Sequence, residues 1–126
     1  MVLMKIHMTP LDKFGQFIVA NLRDRALEQH QMLQAGECRG PARKDLQDRL
    51  RALPTTEREL VSEVVRDVVN VATHDLLFAF QDAHDRRLGI EVTVDGLNVA
   101  EDGGMLQGEP LGETGWVNKF SRYPNG

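Results

Sequence analysis

Cysteine and serine are both scarce in this chain, and each scarcity removes a class of protein. Its single cysteine, Cys38, cannot close an intrachain disulfide, so a fold must be held by its core. Nothing in the surrounding sequence would lower its pKa, and it reads as a bystander thiol in a reducing compartment. The only serines are Ser62 and Ser121, and no G-x-S-x-G setting exists for a nucleophile. P-loop and G-x-G-x-x-G patterns are missing, and the glycines of 103–115 follow no phosphate-cradle spacing. No apolar run approaches the roughly 20 residues that cross a bilayer. The start, MVLMKIHM, has neither an apolar signal region nor a small-residue cleavage site, so a cytoplasmic protein without membrane contact is expected.

What is present is ordinary soluble-protein composition, 41% hydrophobic and 27% charged, over 126 residues. That length fits a single domain, 1–126, able to bury about two-thirds of its unfolded surface without staples. Charge is uneven along it. Residues 1–54 carry nine basic and six acidic side chains, whereas 55–126 carry six and thirteen. Between Glu91 and Glu113 lie six acids and no base. Such a lobe repels phosphates and argues against nucleic acid as a partner. The basic residues Arg39, Arg43, Lys44, Arg49 and Arg51 are diluted by Glu37, Asp45 and Asp48, without aromatics, and read as a solvated helix face.

The pattern divides the chain into a helical body, 9–88, and a hairpin and tail, 89–126. Residues 1–8 are either disordered or a short strand, with Val2, Met4, Ile6 and Met8 alternating. Thr9-Pro10 starts a first helix whose Leu11, Phe14, Ile18, Leu22 and Ala26 recur at threes and fours, with Phe17 beside them. It ends at Gly36, and Gly15 inside it suggests a close crossing. A second helix, 42–53, shows Leu46, Leu50 and Leu53. Thr56 and Glu59 match a capping box for a third, long helix over about 57–87, stopped by Gly89. IEVTV then alternates, Asp95-Gly96 signals a hairpin turn, and Leu97 to Val99 return. Residues 101–115 read as loop, after which Thr114 caps a short helix carrying Trp116, Val117 and Phe120. The fold class is α+β: a three-helix core with a long central helix, a β-hairpin, and a Gly-rich tail ending in a short helix.

Two His-Asp pairs, His74-Asp75 and His84-Asp85, flank the apolar LLFAF of the long helix. Metal-dependent hydrolases use this dipeptide. At 100° per residue His74 and Asp85 share a direction, but eleven residues of rise separate them by about 16 Å. One metal ion cannot span that. The HExxH-type rule, two histidine ligands at i and i+4, is met nowhere. The HD-type arrangement of a distant His30, His74-Asp75 and a later acid would have to take Asp95 or Asp102 from a hairpin or loop. No metal, cofactor or catalytic residue is therefore assigned. The same wheel puts Val61, Val65, Val68, Ala72, Leu76, Ala79 and Ala83 on a core face and Leu77 and Phe78 off it. The helix around 76–80 is then apolar almost all round, buried under the first helix on one side and the hairpin or tail on the other, or under a partner chain.

The long helix ending in H-D-L-L-F-A (74–79), then V-D-G-L-N-V-A (94–100) and G-E-P-L-G-E-T-G-W (108–116), resembles a family of small uncharacterised bacterial proteins. Its general look is also similar to immunity-type proteins, which are small, acidic and non-catalytic. The expected function is a non-enzymatic protein-binding module, an immunity-like or regulatory protein. Its acidic surface, Glu91, Asp95, Glu101, Asp102, Glu109 and Glu113, would engage a basic partner, with Trp116 either an anchor there or a lid on the helices. That partner would be a toxin or a second copy of the chain. The alternatives are a small enzyme or ligand-binding domain using His74 and Asp75 beside a pocket under the tail, or a structural homodimer.

Overall fold

The computed structural model describes residues 8–124; the alternation of Val2, Met4 and Ile6 lies outside them. The class is α+β, as expected: helices dominate, and a two-stranded hairpin follows the longest of them.

Thr9 accepts from the Asp12 amide at 3.1 Å and starts helix α1, Pro10–Ile18, with Pro10 in the first turn. The rod does not stay α-helical. A π turn, Val19–Arg23, joins α1 to α2, Asp24–Ala35. The inserted residue shifts the buried face, as such turns do. Phe14, Ile18 and Val19 are buried up to its first residue, and from its last residue on Arg23, Asp24 and Leu27 are; the expected Leu22 packs against the core only partly buried, and Ala26 is partly buried. Gly36 ends the rod with φ 78°, the left-handed conformation expected there.

Helix α3, Pro41–Arg51, buries Leu50 but leaves Leu46 exposed, and Leu53, expected as its last residue, lies past its end and is exposed. Helix α4, Thr55–Asp85, spans 31 residues, or about 46 Å. Pro54 precedes it and no side chain caps it, so the Thr56–Glu59 box does not form. Its stop lies before Gly89. Arg87 takes φ 56°, its amide donates to the His84 carbonyl, and the Leu88 amide reaches back to Ala83 at 2.8 Å. These bonds satisfy the last carbonyls.

Strand β1, Thr93–Val94, pairs antiparallel with β2, Leu97–Asn98, in register Val94 to Leu97. Asp95 and Gly96 both have positive φ, as a tight type I′ turn requires. Val99 is not strand: Asn98 accepts from the amides of Ala100 and Glu101 and starts α5, Val99–Gly103. A 3-10 turn follows at Leu106–Gly108, so the expected loop is partly helical. The last helix, α6, Trp116–Phe120, follows Gly115 without a side-chain cap; Thr114 has no such role.

Trp116, 1% exposed, sits in the core with Phe14, Ile18, Val19, Leu77, Val99, Ala100 and Leu106. Its ring meets Phe14 edge-on at 6.0 Å and lies directly over Gly15, which explains the glycine inside α1. It is a lid on the helices, and an exposed anchor it is not. Gln81 ties the tail to α4: its amide donates to Ala100 O, and its oxygen accepts from the Leu106 amide at 3.0 Å.

Candidate functional site

The core face of α4 is only in part the one its sequence suggested: Ala83 is buried and Leu76 packs against the core, as expected. Thr73, Leu77 and Gln81, spaced by four, point into the molecule, with Ala83 beside them. Val68, Ala72 and Ala79, expected inside, are exposed. The error has a physical cause. An apolar stripe marks the inward side only when the other sides are polar. Here α4 has two apolar sides, and the more continuous one faces outward. Leu60, Val64, Val68, Val71 and Phe78 are each at least half exposed, joined by Ala72 and Ala79 and interrupted only by Asp75. The LLFAF segment is accordingly covered on one side only: Leu77 is fully buried, Phe78 half exposed, and Ala79 exposed.

The His-Asp pairs do not meet. His74 Nδ1 lies 3.1 Å from Asp75 Oδ1, and both side chains are more than half exposed. The His74 ring stacks on Phe78 one turn on. Asp85 accepts from Gln81, and Asp82 pairs with Arg86. Among the described residues no three His, Cys, Asp or Glu side chains are grouped as metal ligands.

His74 does line a cleft of about 250 Å³, between α4 and the tail, and Asp75 does not. Asn70 and Thr73 share its α4 wall, Gln107 and Leu111 come from the tail, and Arg23 lies against it. Arg23 was not legible as a site residue, because an unbroken α-helical period would have turned it away. Placed by the π turn, its guanidinium is 1% exposed. Nε donates to Asn70 Oδ1 at 2.9 Å, and Nη1 donates to Ser121 Oγ at 2.8 Å and Tyr123 O at 3.0 Å. Burial lowers its pKa from the usual arginine value, and neighbouring Asp24 opposes that shift. Asp24 in turn accepts from Ser121 Oγ at 2.6 Å and the Arg122 amide at 2.8 Å. The pair thus locks the C-terminal segment onto the helical rod.

The acids expected to form one surface have different surroundings. Asp95 is engaged by Lys13 at 2.7 Å. Glu109 is partly buried, and desolvation raises its carboxyl pKa, with Asp12 and Asp102 adding to the effect. Glu91 and Glu101 border one shallow depression with His84 and Arg87. Asp102 and Glu113 are exposed. Cys38 is buried in the loop before α3, its amide donating to Gln47 at 2.7 Å.

No described helix is long and apolar enough to cross a membrane. The chain matches no protein-family model, no curated protein and no solved structure. The likeness to small bacterial proteins therefore rests on its three motifs alone.

Proposed function

We propose that the protein is a non-enzymatic protein-binding module that docks helices on the exposed face of α4, with a second copy of itself as the partner. The observation that carries this reading is the uncovered apolar stripe from Leu60 to Ala79. Val61, Val64, Val68, Val71, Asp75 and Phe78 repeat at alternating threes and fours. That is the spacing of a coiled-coil seam, and it selects another helix as occupant.

An antiparallel arrangement keeps the acids along the seam away from their own copies. A two-fold axis between Val68 and Val71 sets Val61 against the partner's Phe78 and Leu60 against the partner's Ala79. It also brings Glu63 and Asp67 toward the partner's His74, and sets Glu57 at the end of the seam against the partner's Asp82. The parallel alternative would place each of these acids beside its own copy. Asp75 interrupts the seam, as single polar residues do where register is specified at some cost in stability. Immunity-like binding of a basic partner through the acids of 91–113 rests on charge alone, and Asp95 already has a partner within the chain.

Sedimentation equilibrium over a range of concentrations tests the reading. The expected species is a dimer that a Val68→Glu, Val71→Glu double variant converts to monomer with its helical circular dichroism retained. A wild-type chain that stays monomeric at high micromolar concentration overturns it.

A further inference from the structure

We propose that the cleft between α4 and the tail binds a small monocarboxylate with an apolar body and a hydrogen-bond donor. Two buried polar atoms on residues of its lining lack a protein partner: Nη2 of Arg23 and Oε1 of Gln107. Both residues line the same space of about 250 Å³. One offers a charged donor and the other a neutral acceptor, and buried groups of either kind are costly to leave unpaired. A carboxylate oxygen on Nη2 and a hydroxyl or N–H on Oε1 would satisfy both.

The charge balance selects a single negative charge. A cation would meet the Arg23 guanidinium, whose other donors are spent on Asn70, Ser121 and Tyr123. A dianion such as phosphate would find this one guanidinium already sharing its charge with Asp24 at 3.5 Å. Pro110, Leu111 and Val117 supply an apolar wall, and the His74 ring borders it. The ligand body is therefore apolar and of roughly the size of one aromatic ring.

The full chain, labelled with nitrogen-15, is titrated in heteronuclear NMR with phenylacetate, 4-hydroxyphenylacetate and the neutral isostere phenylacetamide. Saturable shifts are expected at the amides of Asn70, Thr73, His74, Leu111 and Asn118 with both acids, and binding of the amide should be at least about tenfold weaker. Leu111→Trp, at an exposed rim position, is expected to close the cleft and abolish those shifts while the spectrum stays folded. Gln107→Met should remove any preference for the hydroxylated acid and leave phenylacetate bound. Absence of saturable shifts with either acid, equal binding of the amide, or unchanged binding by the Leu111→Trp chain would each overturn the proposal.

Discussion

Gly15 shows how much can rest on one missing methyl group. A β-carbon there would collide with the indole ring of Trp116. The ring is enclosed by Phe14 and the rest of the core, so it has little room to retreat. Gly15→Ala is expected to destabilise the fold by about 1–3 kcal/mol despite alanine's better helix propensity, as measured by urea denaturation. His30 carries a second residue-scale expectation. It contacts Ser62 at 3.0 Å, and burial, aided by the charge of Arg66, holds its pKa below the ordinary 6.5. The unfolded chain therefore binds the proton more readily than the folded one. This contribution to stability is complete above pH 6.5 and is lost as pH falls toward the lower folded value. His30→Gln should flatten the fall in stability just below that pH, read from denaturation midpoints across a pH series.

At the scale of elements, α4 and the α1–α2 rod differ in what their sequences disclose. Both were legible as helices, because apolar residues recurring at threes and fours over that many turns fit no strand or loop. The directions they face were not. In the rod, a single extra residue in the π turn moves Arg23 and Asp24 inward, and no residue type announces such a turn. In α4, periodicity identifies two apolar sides without saying which one the chain itself covers. The hairpin was easier, since Asp95-Gly96 combines the two positive φ angles that a type I′ turn needs. For α4 the antiparallel pairing makes a specific expectation. In a Cys38→Ser background, a mixture of Val68→Cys and Val71→Cys chains should oxidise to the mixed disulfide in preference to either self-paired species. A parallel seam would give self-paired products, which mass spectrometry distinguishes.

Across the whole molecule, the tail holds the helices together as much as it covers them. Trp116 fills the core from the far end of the chain, Gln81 bonds backbone groups of 100 and 106, and Ser121 and Tyr123 complete the bonding of Arg23 and Asp24. Removing residues 121–126 would leave that ion pair short of partners inside the protein. Each buried group so stranded costs about 1–3 kcal/mol. The truncated chain is expected to show a lowered thermal midpoint and faster amide hydrogen exchange across the π turn, with the hairpin's exchange little changed. The cleft beneath the tail depends on the same long-range closure. His74 was legible as a polar residue at its edge, whereas Arg23 and Gln107, far apart in sequence and without any motif, were not.

Local sequence was enough to place the long helices, the hairpin turn and the last short helix, because periodicity, turn residues and stop signals act over a few neighbouring residues; α5, the 3-10 turn and the π turn carry no such signal. It also separated the two His-Asp pairs, since the rise of a helix is independent of context. Which side of α4 is inside, that Trp116 is core, and that Arg23 and Asp24 are enclosed together emerged only in the folded chain. Those outcomes turn on which surfaces distant segments cover, and burial is a property of the assembled whole.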